Sequence, residues 1–531
     1  MRAAPVLLAA ALAALYLIWS PPSLDLAAGE YRAWLFGHEG LAAWDLQWYA
    51  GHHLPGYSVL FPPLAWWLGP RLVGALAVVA AALLFERLAR GHYGERAWIG
   101  ALWFGAGSAT SLFSGRVTFA LGLVPALAAL LVLQRSRRAR SGRARSALVG
   151  AALALAVLTV LASPVAALFL GLAGAAYALA ERRAAGLALA ACAIGPILLL
   201  AVAFPEGGRE PFAFSSFWPV LAFAAAALVL VPRGERTLRT GIVLYALGCI
   251  GAFALHTPVG GNAVRLGALC AGPIVALVLW PRRRRALLLL ALPLLWWQWT
   301  AAVDDVRTAS GDRTVQASYY RPLLSALDRA VAADPARSAG LVGDRVEIPF
   351  TRLHWEARRV APRYPLARGW ERQLDIAVNG VFYTGRLTSA RYRAWLRRMA
   401  VRWVALPDTR LDYSAKQEAK LIRRGLPYLD EIWHDADWRL YAVRDPTPLV
   451  SGPAQVTATG SDAIALTAAG PGELLLRVHW TPYWAVASGN ACVSPAGDWT
   501  RLDVRRAGRI RLVTRFAPAR IGARSPRCAA G

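Results

Sequence analysis

The chain has 531 residues, of which 56% are hydrophobic and only 17% charged, and its mean hydropathy is positive. A soluble protein of this composition would expose far too much apolar surface, so a wholly soluble enzyme is excluded. The formal net charge of +27 favours a nucleic-acid partner only if the basic residues gather on one folded surface. The positions of these residues along the chain test that condition.

Apolar runs of about 15–20 residues, the length that an α-helix needs to cross a bilayer, follow one another as far as Val303. The sequence therefore predicts an α-helical polytopic membrane bundle of about eleven transmembrane helices in residues 1–303. Ser163-Pro164 separates two of the spans and predicts a tight hairpin. The predicted spans are roughly 3–19, 69–89, 97–114, 117–134, 147–162, 165–180, 185–204, 217–231, 240–256, 265–280 and 286–302.

The arginines predict the orientation of these spans. If Arg2 lies inside, eleven spans place 19 arginines on the cytoplasmic side and five outside, in agreement with the positive-inside rule. We therefore predict a multi-pass protein of the plasma (inner) membrane with a cytoplasmic N-terminus and an extracytoplasmic C-terminal part. An alternative makes the first span a secretory signal peptide cleaved near Ala27-Ala28-Gly29, which leaves the orientation unchanged.

The charge of +27 divides into +14 for residues 1–303 and +13 beyond them. In the membrane half it follows from the cytoplasmic arginine clusters, so we expect a lipid bilayer and no nucleic acid as partner. The +13 outside would suit anionic lipid headgroups or an acidic glycan.

The remaining residues have ordinary polar patterning. Residues 304–450 alternate helical and strand signals and predict an α/β domain, whereas residues 451–531 predict a small β-sandwich from alternating strands with glycine-rich turns. Predicted elements are helices over 319–333, 389–400 and 415–425 and strands Trp403–Leu406, Trp438–Val443, Gln455–Thr459, Ala463–Thr467, Glu473–Trp480, Trp499–Val504 and Ile510–Phe516.

The five cysteines fall into two groups. Cys192, Cys249 and Cys270 lie in predicted spans, where we expect them to pack as small apolar residues. Cys492 and Cys528 both lie in the predicted external part, where a disulfide persists, and we expect them to pair.

The first external loop, about 20–68, is long, aromatic and acidic. Its amphipathic stretch Leu26–Phe36 is suited to the membrane interface, which would place carboxylates at the level of the lipid headgroups. Asp25 has two interpretations, the N-cap of a helix that begins at Leu26 or a catalytic group. Asp45 would likewise cap a short helix around Gln47–Tyr49.

The aromatic residues and histidines of this loop also allow two interpretations. Trp44, Trp48, Tyr49 and Tyr57 are either interfacial anchors or platforms for a sugar. His52-His53 is a weak metal signal, because adjacent side chains diverge and no partner four residues away completes a site.

Two arginines near the outer ends of spans are candidate phosphate ligands. Arg116 lies in a tight turn between spans, and Arg265 opens the tenth span behind a glycine pair. Guanidinium groups bind phosphate through paired, charge-assisted hydrogen bonds. The alternative is that both side chains extend to lipid headgroups.

This arrangement resembles the GT-C superfamily of polytopic membrane glycosyltransferases and, within it, actinobacterial GT-C-like membrane proteins. The shared features are a short first span, an acid shortly beyond it, a long aromatic external loop with an amphipathic helix, and a C-terminal external domain. The residues that carry the resemblance are DLAAGEYRAWLFGHEG at 25–40, WDLQWYAGHHLPGYSVLFPPLA at 44–65, SGRVTFALG at 114–122, GNAVRLGALCAGP at 261–273, LARGWERQLD at 366–375 and DYSAKQEAKLI at 412–422.

The resemblance implies an inverting transferase that moves a sugar from a polyprenyl-phosphate-linked donor to an extracytoplasmic cell-envelope glycan or glycolipid acceptor. Asp25 would be the catalytic base, and Arg116 and Arg265 would bind the donor phosphate. The residues expected to contact donor or acceptor are Glu30, Asp45, His53, Tyr57 and Asn262. The superfamily includes members that use a divalent cation, and Mg²⁺ or Mn²⁺ stays open as a cofactor here. No metal ligands are assigned, since Asp25 has no acidic neighbour until Glu30.

Two functions of other classes remain as alternatives. A transporter or flippase of lipid or polysaccharide predicts ionisable residues in the middle of spans and internal repeats, and the sequence has neither. A non-catalytic cell-envelope assembly or binding protein would use the external part, and the first-loop carboxylates would then be dispensable.

Overall fold

The computed structural model describes residues 2–335, 343 and 345–529, and the chain forms two compact units. The first comprises Met1–Gly37, Gly56–Ala201 and Gly207–Ser310, and the second comprises His38–Pro55, Val202–Glu206 and Gly311–Gly531. The division falls at Ser310 rather than near residue 303, because the last helix of the first unit continues to Ala309.

The first unit is built from α-helices. Its helices are α1 (Ala4–Trp19), α2 (Leu24–Glu39, whose last two residues belong to the second unit), α3 (Phe61–Leu68), α4 (Pro70–Tyr93), α5 (Trp98–Ser108), α6 (Thr110–Phe113), α7 (Val117–Ser136), α8 (Gly142–Ala162), α9 (Pro164–Glu181), α10 (Ala184–Ala203), α11 (Phe214–Leu230), α12 (Arg236–Ala254), α13 (Val264–Leu279) and α14 (Arg284–Ala309). The predicted hairpin at Ser163-Pro164 is present: Ser163 caps α9 by accepting from the Ala166 amide, and proline opens the helix.

Fewer helices than expected are long enough to cross a membrane. Of the described residues, eight helical stretches have the required length and hydropathy, or nine if the bent pair α1 and α2 counts as one span, against about eleven predicted. The difference arises because α1 and α11 have only 16 and 17 residues, and because residues 70–113 form one 44-residue stretch that holds two predicted spans.

That 44-residue stretch nevertheless folds back on itself. The rings of Phe85 in α4 and Phe104 in α5 stack with their centroids 4.0 Å apart. In a straight helix, residues so far apart in sequence would be separated by roughly 28 Å. The reversal occurs at the 3-10 turn Gly94–Ala97, where Gly94 has a φ of +61°.

The second unit contains an α/β module with a mixed four-stranded sheet. Its elements are α15 (Ala317–Ala333), β3 (Val346–Glu347), α16 (Glu356–Arg359), α17 (Arg372–Val378), α18 (Ser389–Arg398), β4 (Trp403–Pro407), α19 (Lys416–Arg423), β5 (Leu429–His434) and β6 (Trp438–Val443). The strand order is β3-β4-β6-β5, with β3 and β4 parallel and the other pairs antiparallel. The predicted α/β fold is thus confirmed.

A β-sandwich follows, as the sequence predicts. Its strands are β7 (Val450–Ser451), β8 (Ala454–Thr459), β9 (Ala463–Ala468), β10 (Gly472–His479), β11 (Trp484–Ser488), β12 (Ala491–Ala496), β13 (Trp499–Val504), β14 (Gly508–Thr514) and β15 (Arg527–Cys528). They form sheets of order β15-β12-β13-β10-β7 and β11-β14-β9-β8. Alternate residues of both sheets, such as Leu466 and Leu502, share one core, and a disulfide joins Cys492 to Cys528 on neighbouring strands.

Residues of the predicted first external loop belong to the core of the second unit, which corrects the expectation that they are interfacial anchors. Trp44 and Asp45 (β1) pair with His52 and His53 (β2) in a short hairpin. Trp44 packs into the β-sandwich core, and the indole of Trp48 donates to the carbonyl of Ala357 in the α/β module. Because their side chains are almost wholly buried, Trp44, Trp48 and Tyr49 stabilise the second unit.

Candidate functional site

The candidate site lies in the first unit, where one carboxylate meets two arginines. Asp25 is in the first turn of α2, and its Oδ2 accepts a hydrogen bond from Nε of Arg116 at 3.3 Å. The same oxygen lies 3.9 Å from a terminal nitrogen of Arg265. The three side chains are 18%, 31% and 21% exposed, so a ligand in solvent or lipid can reach them. The helix begins at Leu24, so Asp25 lies inside it and not at the N-cap position before Leu26.

Gly115 brings Arg116 to α2. Its φ is +74°, in the left-handed region that favours glycine, and Val117 closes a tight turn by donating to the Gly115 carbonyl. A Cβ added at this position would lie 2.2 Å from Oγ of Ser23 and 2.6 Å from the amide nitrogen of Leu26. Only glycine therefore allows the turn before α7 to approach the beginning of α2 this closely.

A second glycine turn places Arg265. The 3-10 turn Gly260–Ala263 leads directly into α13, and Arg265 is the second residue of that helix. Gly260 has a φ of +40° and approaches the backbone carbonyl of Glu210 so closely that any side chain would collide with it. The guanidinium of Arg265 lies 5.7 Å from the ring centroid of Phe119 in α7, which helps to fix its position.

Tyr57 joins this group through a third arginine. The guanidinium of Arg32 lies 4.2 Å from the centroid of the Tyr57 ring. Burial raises the pKa of the Tyr57 phenol above its ordinary value and the nearby Asp25 adds to this, while Arg32, Arg265 and a hydrogen bond with Thr118 oppose it. Tyr57 therefore keeps its hydroxyl proton at neutral pH.

Sequence reasoning had not selected Arg32 or Gly115. Arg32 follows Asp25 by seven residues on α2, which is about two helical turns, so helical periodicity puts both on the same face. Gly115 gives a weaker signal, because a glycine in a short turn rarely indicates which other segment it will contact.

Glu30 and Asn262 lie on the same elements as the site but have no direct contact with Asp25 among the described bonds. Glu30 is half-buried on α2, and at five residues from Asp25 it points about 140° away around the helix. Asn262 is half-buried in the turn before α13, where its backbone amide donates to the carbonyl of Val259.

Asp45 and His53 belong instead to the second unit, and both are buried. Oδ1 of Asp45 accepts from the backbone amide of Gln47 at 3.0 Å, but the predicted short helix around Gln47–Tyr49 is wrong, because these residues form a bend and turn in which Tyr49 has a φ of 59°. Nδ1 of His53 lies 2.7 Å from Oε1 of Glu206, and its Nε2 is 3.1 Å from the hydroxyl of Thr481. Their exposure is only 0% and 5%, and their contact with a substrate stays a prediction.

The charges of the site favour an anion. Asp25 faces Arg116 and Arg265, Glu210 also acts on Arg265, and the guanidinium of Arg32 lies over the Tyr57 ring, so three cations meet two anions in this group. A divalent cation does not fit here, because guanidinium groups would repel it. No group of three His, Cys, Asp or Glu side chains suited to a metal ion occurs in the part of the chain that the structure describes.

A second charged cluster, which we term the Arg368 cluster, is buried in the α/β module. Arg368 lies between the rings of Phe350 and Phe382, 3.9 and 4.0 Å from their centroids. It forms a bidentate pair with Asp375 and also contacts Glu418 at 3.4 Å. These acids belong to the segments 366–375 and 412–422, so two motifs far apart in sequence meet around one arginine.

Comparisons with known proteins give little further information. No protein-family model matches the chain, and no curated protein matches it significantly. Among solved structures, it is similar to the crystal structure of the Archaeoglobus fulgidus oligosaccharyltransferase in complex with Zn and sulfate, with 12% sequence identity and a TM-score of 0.46. The match covers 76% of this chain and 68% of the archaeal one. A likeness of this size assigns neither a family nor an activity.

Proposed function

We propose that the protein is a membrane glycosyltransferase of the GT-C type. It would transfer a sugar, with inversion, from a polyprenyl-phosphate-linked donor to an extracytoplasmic cell-envelope glycan or glycolipid. The observation that carries this proposal is the placement of Asp25 within 4 Å of both Arg116 and Arg265, since it puts a candidate base beside two candidate phosphate ligands. The resemblance of the first-loop sequence to this superfamily agrees with it.

The arginines would receive the donor phosphate. As the bond between the sugar and the phosphate breaks, the leaving phosphate retains the electron pair and gains negative charge. Arg116 and Arg265 are positioned to stabilise that charge, because both are partly shielded from solvent and held by neighbouring helices. The prenyl chain would lie along the apolar surface of the helical unit.

Asp25 would take the proton of the acceptor. The acceptor hydroxyl is a poor nucleophile at neutral pH, and transfer of its proton to a carboxylate as the new bond to the anomeric carbon forms lowers the barrier. Oδ2 of Asp25 is held by the arginines, which leaves Oδ1 as the proton acceptor. Tyr57, Glu30 and Asn262 would contact the donor or acceptor, and holding the two substrates together would supply much of the acceleration.

The test is a transfer assay with the purified full chain and a panel of polyprenyl-phosphate sugars. Asp25→Asn preserves the size of the side chain but removes its basicity, so transfer should fall by at least about a hundredfold. Glu39→Gln, at the exposed far end of the same helix, is the matched control and should retain activity. Near-normal transfer by Asp25→Asn would refute the role of Asp25 as base, and no transfer by the wild type from any donor of the panel would favour a non-catalytic envelope protein.

A further inference from the structure

A large apolar cavity lies between helices of the first unit, away from Asp25. Its volume is about 600 Å³, within the range of about 300–1,000 Å³ that is typical of ligand pockets. Side chains of α4, α7, α9, α11, α12, α13 and α14 line it, and most of them are aliphatic or aromatic, such as Leu172, Phe223 and Trp297.

The polar residues of the lining are concentrated at one end of the cavity. They come from the final turns of α4, α7 and α9 and from the beginning of α12. We call this set the polar mouth: His92, Gln134, Arg137, Glu181, Glu235, Arg236 and Thr237.

The polar mouth and the candidate site lie at opposite ends of the helical unit. Arg116 directly precedes α7 and Arg137 directly follows it. The helix between them has 20 residues, which corresponds to a length of about 30 Å. An amphiphile with its head at the polar mouth would therefore be distinct from a donor whose phosphate is bound by Arg116 and Arg265.

Arg137 of the polar mouth can bind an anionic ligand, since the acids of the polar mouth already have other partners. Glu235 lies 3.2 Å from Nε2 of His92, and Glu181 accepts a hydrogen bond from the hydroxyl of Thr237 at 3.3 Å. The guanidinium of Arg137 lies over the ring of Tyr177, at 5.9 Å from its centroid, and pairs with no carboxylate among the residues that the structure describes. A guanidinium held over an aromatic ring is well suited to bind a phosphodiester.

We propose that this cavity binds an anionic glycerophospholipid, with one acyl chain between the helices and the phosphate at Arg137. Charge complementarity favours this occupant, because exposed arginines surround the polar mouth. They are Arg135, Arg138, Arg182 and Arg233. Basic pockets between transmembrane helices on the cytoplasmic side commonly bind anionic headgroups, and the arginine pattern predicts that this end is cytoplasmic. This lipid site goes beyond the proposed transfer reaction.

The experiment measures lipid-dependent thermal stability of the purified full chain in detergent, followed by tryptophan fluorescence. Phosphatidylglycerol is expected to raise the unfolding midpoint by several degrees more than phosphatidylcholine with the same acyl chains. Glycerol 3-phosphate, which has the head chemistry but no acyl chain, should cause no shift at the same concentration. An equal effect of the two lipids, or a full shift with glycerol 3-phosphate, would overturn the proposal.

Three variants locate the site. Arg137→Ala should raise the half-saturating concentration of phosphatidylglycerol about tenfold, through loss of a charge-assisted hydrogen bond. Ala173→Leu narrows the cavity and should also weaken binding, whereas Arg143→Ala, an exposed arginine outside the lining, should behave like wild type. Unchanged binding by Arg137→Ala, or an equal loss in Arg143→Ala, contradicts a specific site.

Competition with a prenyl monophosphate separates this site from the donor site. The prenyl compound should leave phosphatidylglycerol binding unchanged. If it displaces the phospholipid, and if Arg116→Ala rather than Arg137→Ala abolishes that displacement, the cavity holds the donor chain and the proposal is wrong. All of these readouts are independent of sugar transfer, so failure of the proposed function would not mimic failure of the lipid site.

Discussion

Nε of Arg116 donates to Oδ2 of Asp25 across 91 positions of sequence, at 3.3 Å. The contact depends on Gly115, which brings the beginning of α7 against the beginning of α2, and it is reinforced by Arg265 at 3.9 Å. The arginines proposed to bind phosphate thus already have an anionic partner within the protein. A ligand phosphate must compete with Asp25 for them.

This competition predicts that Asp25→Asn binds a phosphate ligand more tightly while it loses transfer activity. An ion pair that is 18–31% exposed is worth at most about 1 kcal/mol, so the gain should be no more than about fivefold in Kd. The measurement is a titration of the purified protein with a prenyl monophosphate that carries no sugar. Glu39→Gln should leave the Kd unchanged, and weaker binding by Asp25→Asn would contradict competition for the arginines.

Gly115→Ala should disrupt the contact between Arg116 and Asp25 by displacing the backbone of the turn. The added methyl group would collide with Ser23 and with the Leu26 amide, and the φ of +74° is unfavourable for alanine. We expect a reduction of transfer by at least about tenfold, with retained expression, since the turn must move away from α2 and Arg116 no longer lies beside Asp25. Gly150→Ala is the control, because a methyl group there meets no atom within 4 Å. Equal behaviour of the two variants would mean that the close approach is not needed.

The regular elements were largely predictable from the sequence, because each depends on a local pattern. Apolar runs located the helices of the first unit, and strict alternation located strands such as β9 and β13 within one or two residues. β5 was missed because its residues are mostly half-buried or exposed and show no alternation. Each of the eleven predicted spans coincides with helical residues, although only eight or nine stretches of the described residues have both the length and the hydropathy needed to cross a membrane.

The site was predictable only in part, for a physical reason. Charged residues at the ends of apolar spans are conspicuous, and Asp25, Arg116 and Arg265 could be selected by that property alone. The burial of Trp44 and Trp48 could not be predicted from the sequence. An aromatic residue in a loop gives the same sequence signal whether it faces lipid or fills the core of another part of the chain. Long-range packing decided between those outcomes.

The disulfide predicts a measurable contribution to the stability of the second unit. Cys492 and Cys528 are 36 positions apart, and closing a loop of this size stabilises a folded domain by about 3–4 kcal/mol in the chain-entropy treatment. Cys528→Ser, or reduction of the wild type, should therefore lower the thermal midpoint of this unit. Cys192→Ser, a substitution of a free cysteine in α10, keeps the disulfide and should respond to reductant as the wild type does, whereas Cys528→Ser should not respond. No difference between oxidised and reduced wild type would refute this contribution.

The Arg368 cluster predicts that the α/β module loses stability as pH rises. Burial raises the pKa of Glu418 to about 7 and also raises that of its neighbour Glu347, whereas both groups ionise near their ordinary values in the unfolded chain. A raised pKa in the folded state gives stability that is lost as pH rises from the unfolded-state pKa of 4.5 to the folded-state pKa of about 7, so protection should fall between about pH 4.5 and 7. The buried His354 and His479 have lowered pKa values and oppose this loss below pH 6.5, whereas burial raises the pKa of Glu356 to about 8 and extends the loss to higher pH.

Hydrogen exchange of peptides from 366–375 and 412–422 in the full chain is the measurement for this cluster. Residue 418 cannot ionise in Glu418→Gln, which should reduce the pH dependence after correction for intrinsic exchange, whereas the exposed Glu473→Gln should retain it in full. The Gln side chain can still accept from Tyr392, which donates to Glu418 at 2.8 Å, so the local fold should persist. A pH dependence in Glu418→Gln equal to that of wild type would show that the shared burial of Glu418 and Glu347 does not control the stability of this module.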